Sequence, residues 1–200
     1  MAILITSNSH KEIKDTVDVN KYIYNALIKQ GYDRDYVKYL PLCDGGDGLF
    51  ASYRFFNPLS ELVPLEVKGP LGDIHSTTIL LDRQRSLAVI DGAMVAGLSN
   101  IPVNKRDITR SWGWGIADAI KVAIQLDVHE IIIGMGGSAL GDLGVGTLQG
   151  LGAEIFVGSM KLGPSDFKDI SLIQNVTKIR LEPMSKVLGS TKIKLLSDVN

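Results

Sequence analysis

The chain has 200 residues, 45 % of them hydrophobic and 22 % charged, with 21 basic against 22 acidic side chains and a net charge of −1. That balance is the composition of an ordinary globular protein, and it lacks the basic excess of a nucleic-acid groove. The apolar stretches around Ile131–Ile133 are too short to span a bilayer, and the single cysteine, Cys43, excludes an intrachain disulfide. A reducing cytoplasm is the expected location.

The first residues, Met1 to Ile5, lack the basic lead and long apolar core of a signal peptide. Ile3 to Thr6 read as a buried strand. A helix is expected from about Asp15 to Gln30, with Val19, Ile23, Ala26 and Leu27 forming an apolar stripe and Gly31 closing it. Tyr36 to Leu40 read as a second strand, which runs into Pro41-Leu42-Cys43-Asp44-Gly45-Gly46-Asp47-Gly48. From Leu62 to Ile90, short β-like runs alternate with turns such as Gly69-Pro70-Leu71-Gly72-Asp73, a hairpin pattern. A helix begins near Ser111, with Ile116, Ile120, Ala123 and Ile124 at helical spacing. Glu130 to Ile133 form a strand, followed by a glycine-rich loop and a helix from about Asp142. Ala153–Val157 and Lys192–Leu196 are two further strands. Segment 158–191 has turn residues and weak periodicity. Strands alternating with helices make the fold class α/β.

The chemistry concentrates at the turns. Gly134-Met135-Gly136-Gly137-Ser138-Ala139-Leu140-Gly141-Asp142 follows a strand and leads toward a helix. Consecutive backbone N–H groups in such a turn can hold an anion, and Ser138 can add a hydroxyl donor. A carboxylate beside a phosphate cradle, here Asp142, points to a Mg²⁺ ion or a proton acceptor. Tight helix–strand packing with Asp142 as a cap explains the same residues equally well. Gly134-x-Gly136-x-x-Ala139 also fits a dinucleotide fingerprint with Glu154 as ribose partner, which keeps open an NAD-binding oxidoreductase domain. In Asp44-Gly45-Gly46-Asp47-Gly48, two carboxylates across glycines can hold a metal, accept substrate hydroxyls or cap a helix. Asp198, at the tip of the last strand, is placed for a ligand crevice, or forms a turn. Cys43 reads as a small buried residue beside a turn. Trp112 and Trp114 read as core packing or as crevice lining.

These segments, in their order, resemble the type I glycerate kinase (glycerate 2-kinase) family. Its A-P-D-S-F-K-G is echoed by Thr6-Ser7-Asn8-Ser9-His10-Lys11-Glu12 and its P-L-A-D-G-G-E-G by Pro41 to Gly48. V-x-G-P-L-G is matched by Val67 to Gly72, and A-x-I-E-M-A more loosely by Ala88 to Ala93. S-Y-G-V-G is matched by Ser111 to Gly115, G-x-G-G-S-A-T-N-D-G-G-A-G by the 134–146 loop, and C-D-V-x-N by Ser197 to Asn200. The resemblance implies a parallel-sheet, flavodoxin-like domain with a second α/β domain inserted, here truncated. Residues 1–61 and 106–200 are expected to form the glycine-loop region, and 62–105 a hairpin-rich start of the second domain.

The activity implied is ATP-dependent phosphorylation of D-glycerate to 2-phosphoglycerate, with Mg²⁺. Lys11, Asp142 and Asp198 become the catalytic candidates, with Asp142 and Asp198 also the metal ligands. Ser9, Asp44, Gly45, Gly46, Asp47, Gly136, Gly137 and Ser138 become the substrate and nucleotide contacts. The partner implied is a small hydroxy acid, with neither nucleic acid nor membrane, and a homodimer is expected. Departures stand at Asn8, Glu12, Leu140 and Leu143, where the family pattern has Asp, Gly, Thr and Gly. Together with the chain length they leave a second expectation, a non-catalytic fragment or degenerate paralogue that binds an anion or a partner.

Overall fold

A computed structural model of the protein describes residues 2–8, 15–167 and 169–197. The elements run β1 (Ile3–Ile5), α1 (Thr16–Lys29), β2 (Val37–Tyr39), α2 (Leu49–Phe56), β3 (Glu61–Lys68), β4 (Ile74–Asp82), β5 (Leu87–Asp91) and α3 (Gly92–Ala96). They continue with α4 (Trp114–Gln125), β6 (Glu130–Gly134), α5 (Val145–Gly150), β7 (Glu154–Val157), β8 (Met160–Lys161), β9 (Lys178–Arg180), α6 (Glu182–Leu188) and β10 (Lys192–Leu196). Short 3-10 turns fill 98–110 and 164–175.

The main sheet has the order β10-β6-β5-β4-β3. β10, β6 and β5 are mutually parallel, whereas β4 pairs antiparallel with both β5 and β3. The α/β class is as expected, but the sheet is mixed, because the Gly69–Asp73 turn returns the chain directly as a hairpin. Segment 62–105 therefore shares one continuous sheet with β6 and β10 from segment 106–200.

β5 shows why the sheet is stable. All five of its residues are buried. Ala88 and Ile90 join Val67, Ile79, Ile131 and Ile133 against Ile116 and Ile120 of α4. Leu87 and Val89 join Leu80 and Leu49 of α2 in a second cluster. Helices thus cover both faces of β5 and β6, which is why these two strands read as apolar runs, unlike the edge strand β10. Fully burying one such Ile or Leu side chain is worth about 1.5–3 kcal/mol. A third cluster of Trp112, Val145, Ile155, Leu162 and Phe167 lies against β7, which pairs antiparallel with β8 and β9 in its own sheet.

The helix α1 starts where expected, with Asp15 capping Asp18 N–H at 2.9 Å, and Gly31 at φ +92° follows its end. Its buried face differs from expectation. Ile23 is 42 % exposed, while Thr16 and Asn20 are fully buried. Thr16 Oγ1 and Asn20 Nδ2 both donate to the Ser7 carbonyl, at 2.6 and 3.1 Å. The buried face of the helix is thus the one that supplies donors to the segment after β1. α5 begins at Val145 rather than at Asp142, since Leu143 and Gly144 both have positive φ and interrupt the helix.

Candidate active site

The three parallel strands end on one side of the sheet. Beyond those ends lie the turn Asp44–Gly48, the loop 134–141 and the N-terminus of α3. Open α/β sheets bind ligands at this edge.

The two glycine turns interlock. Gly136 N–H donates to the Gly45 carbonyl at 3.1 Å, and Met135 N–H donates to the Leu196 carbonyl at 2.9 Å. A Cβ on Gly136 would stand 2.6 Å from Gly46 Cα, and one on Gly45 would stand 2.7 Å from the Leu196 carbonyl oxygen. Both neighbours are backbone and cannot yield, so only glycine permits the approach. The other end of the loop is tied to α3, with Ala139 N–H donating to the Ala96 carbonyl at 2.7 Å and Ser138 bridged to Gly97. Loop 134–141, residues 44–47 and α3 therefore form one rim, and the structure brings Asp44, Gly45, Gly46, Gly136, Gly137 and Ser138 together on it. Ser138 Oγ donates to the Met135 carbonyl at 3.2 Å, which leaves its lone pairs open. Exposed Gly137 is left-handed, at φ +72°.

Asp44 is held from two sides. Its Oδ1 accepts the Gly46 N–H at 3.0 Å and its Oδ2 accepts from Asn8 Nδ2 at 2.6 Å. Asn8 thus supplies a donor where the family's Asp would set a second carboxylate against Asp44. Cys43 packs into the same turn and accepts the Gly45 N–H at 3.3 Å. Burial pushes its thiol up, so it is a packing residue rather than a thiolate.

Asp142 takes the packing place that the sequence offered beside its chemical roles. It is fully buried. Oδ2 accepts the N–H groups of Gly113 and Gly146 at 2.8 and 2.9 Å, and Oδ1 accepts that of Gly144 at 3.1 Å. Three backbone amides hold the carboxylate where it sits, so Asp142 anchors the loop. The chain around it is what brings Leu140, Leu143 and Thr147 to line a cavity of about 450 Å³ under the loop, between α4 and β10. Ser9, Lys11 and Asp198 lie outside the described residues, as do His10 and Glu12.

One acidic residue escaped the sequence reading. Asp91 ends β5, is 6 % exposed and caps α3 through the Ala93 and Met94 N–H groups at 2.9 and 3.3 Å. Burial raises its carboxyl above the usual range, and the charge of Asp47 raises it further. The signal was present: an acid at the C-terminal tip of a buried strand, directly before Gly92. Among the described residues no three His, Cys, Asp or Glu side chains are gathered to hold a metal ion.

The dinucleotide alternative fails on topology. Its fingerprint needs a helix straight after the glycines and a parallel neighbouring strand that carries the acid. Here the helix waits until Val145, and Glu154 starts an antiparallel strand of another sheet. Glu154 is already paired with Lys161 at 2.5 Å and Arg180 at 2.9 Å.

Comparison with known proteins agrees with this geometry. The model of the glycerate kinase family matches residues 3–200. The glycerate kinase of Haemophilus influenzae is 34 % identical over 200 residues, all of this chain and 52 % of that protein. The glycerate 2-kinase of Escherichia coli is 32 % identical over 155 residues, 78 % of this chain and 40 % of its own length. A crystal structure from Salmonella typhimurium LT2, described as that of a glycerate kinase 2, superposes with a TM-score of 0.75 at 30 % identity and covers 98 % of this chain and 52 % of its own. The chain spans about half the length of the relatives it matches over its whole extent. Among the described residues no helix is long and apolar enough to cross a membrane.

Proposed function

The chain belongs to the glycerate kinase family, and on that footing we propose that the protein transfers the γ-phosphoryl group of ATP to D-glycerate, giving 2-phosphoglycerate and ADP. The observation that carries this reading is the interlock of the Asp44–Gly48 turn with the Gly134–Gly137 turn at the tips of parallel strands. Phosphoryl transfer asks the protein chiefly for positioning and charge stabilisation, and a rigid rim of backbone amides suits that demand.

In the reaction the 2-hydroxyl oxygen of glycerate forms the new P–O bond, the bond to the β-phosphate oxygen breaks, and the hydroxyl proton passes to a carboxylate. Asp198 and Lys11 retain the roles of proton acceptor and anion contact in this proposal, with Ser9 beside them. Asp91 is a further carboxylate at the rim, where burial raises its affinity for a proton. Asp44 and Asp47 shape the glycerate side, and Gly136, Gly137 and Ser138 line the anion side, with the Gly136 N–H and the Ser138 hydroxyl given to the Gly45 and Met135 carbonyls. Mg²⁺ would neutralise phosphate charge when bound, with Asp198 a candidate ligand, since the described residues gather no metal site of their own. A cytoplasmic location and a homodimer belong to the same reading. The outer edge of β10 is unpaired among the described residues, with Leu195 62 % exposed between Lys194 and Leu196, and is the edge a second copy would meet.

A coupled assay of ADP formation tests the proposal. ADP is expected to appear only with D-glycerate present, and the product is expected to be the 2-phosphate by ³¹P NMR. Absence of glycerate-dependent ADP would leave the second reading, a non-catalytic anion binder. The Asn8–Asp44 hydrogen bond and the left-handed Leu143, both at departures from the family pattern, favour that alternative. A rise in Tm with D-glycerate but no turnover would establish it.

A further inference from the structure

The innermost positions of α1 are polar. Thr16 and Asn20, one helical turn apart, are both 0 % exposed. Asn20 Nδ2 donates to the Thr16 carbonyl at 2.7 Å and to Thr16 Oγ1 at 3.4 Å, so the two side chains form one unit. That unit closes on the Ser7 carbonyl, which accepts Thr16 Oγ1 at 2.6 Å and Asn20 Nδ2 at 3.1 Å. Leu42 N–H, from the segment after β2, is a third donor to the same oxygen at 3.4 Å. Donors thus converge on the Ser7 carbonyl from the helix and from the neighbouring strand end, and they fix the plane of the Ser7–Asn8 peptide.

The arrangement costs stability. The Thr16 and Ser7 carbonyls require the NH₂ of Asn20 to face them, so its Oδ1 is turned elsewhere. Neither Asn20 Oδ1 nor the buried Ser7 Oγ has a hydrogen-bond partner among the described residues. A buried polar atom without a partner carries a desolvation penalty that an aliphatic side chain avoids. Packing alone would favour aliphatic residues at both positions. The polar pair is explained by what it holds.

It holds the approach to the rim. Asn8 follows the clamped carbonyl, and its Nδ2 donates to Asp44 Oδ2 at 2.6 Å. Asp44 Oδ1 accepts the Gly46 N–H at 3.0 Å, and Gly46 is the residue on which Gly136 closes. The Asn8–Asp44 bond is exposed, and ordering two exposed side chains has an entropic cost unless both are held. The glycine turn holds the Asp44 end through Gly46. α1 holds the Asn8 end through Ser7.

We propose that Thr16 and Asn20 are positioning residues, which lock the Ser7–Asn8 peptide so that Asn8 orients the Asp44 carboxylate toward the hydroxyl groups of a small hydroxy acid on the glycine rim. The inference rests on the reading that places glycerate beside Asp44. The effect falls on binding of the acid more than on turnover of the bound complex, because Asp44 meets the substrate in the ground state.

Valine has the shape of threonine without its donor, and serine keeps the donor. Ser7 retains two donors in T16V, so the fold is expected to stand. T16V is expected to raise the KM for D-glycerate, and the Kd read from the Tm shift with D-glycerate, by roughly 10-fold, the loss of one hydrogen bond, while kcat stays near the wild-type value. T16S is expected to restore both constants. A T16V protein that melts earlier but keeps the wild-type KM and Kd overturns the proposal, since Thr16 then only supports the helix. A T16S protein as impaired as T16V overturns it too. The clamp also has a readout that needs no glycerate. In ¹H–¹⁵N spectra the Asn8 carboxamide pair, identified by its loss in N8A, is expected to move in T16V and to keep its place in T16S. A wild type that neither binds nor phosphorylates glycerate ends the kinase reading, while a moved pair still upholds the clamp. An unmoved pair in T16V overturns the clamp whatever the activity.

Discussion

The Oδ2 atom of Asp142 accepts the backbone N–H of Gly113 at 2.8 Å across 29 residues of chain. The bond is fully buried, and with the Gly144 and Gly146 amides it fastens the glycine loop to the start of α4. Replacement D142N keeps the shape but turns one acceptor oxygen into an NH₂ facing amide donors. Stability is expected to fall by about 3 kcal/mol, read as a lower urea midpoint at unchanged slope. A midpoint within error of the wild type would remove the anchor role.

Leu143 illustrates a residue at odds with its backbone. It sits at φ +52° with its side chain 86 % exposed, so it strains the chain and packs against little. L143G is expected to stabilise the protein by about 1 kcal/mol, the left-handed penalty being larger than the extra entropy glycine loses on folding. Thermal unfolding would show it as a Tm higher by a few degrees. A decrease would mean that the exposed Leu143 has packing not apparent in the fold.

Tyr53 gives a pH dependence. Burial pushes its hydroxyl up to about 12 from the ordinary 10, and the hydrogen bond to Asp82 Oδ2 at 3.0 Å adds to the shift. The folded value lies above the unfolded one, so the folded chain keeps its proton while the unfolded chain loses it. The contribution is whole below pH 10 and is lost as pH rises toward 12. Denaturant melts from pH 9 upward are expected to show the wild type losing stability faster than Y53F. Parallel curves would refute the linkage.

How much was legible varies with the kind of signal. β6 at 130–134 extends the expected strand by one glycine and buries its apolar run, whereas β10 lies at 192–196 as expected but is exposed at four of its five residues and is held by pairing with β6. The stripe on α1 misled, since spacing shows which residues can share a face but not whether a surface exists to cover it. Thr16 and Asn20 were drawn inward by the Ser7 carbonyl, a demand invisible along the chain. Composition marked both glycine turns as places of close backbone approach, but that they meet each other came from the fold.

By itself the sequence determined the α/β class, the strand and helix periodicities, the family landmarks and the places where backbone comes close to backbone, because these depend on local pattern and residue size. Only the tertiary structure supplied the surroundings of the acids. Asp142 is anchored by three amides, Asp91 is desolvated beside Asp47, and Asp44 is matched by Asn8. A carboxylate's chemistry is set by the donors and charges around it, and those come from segments tens of residues away.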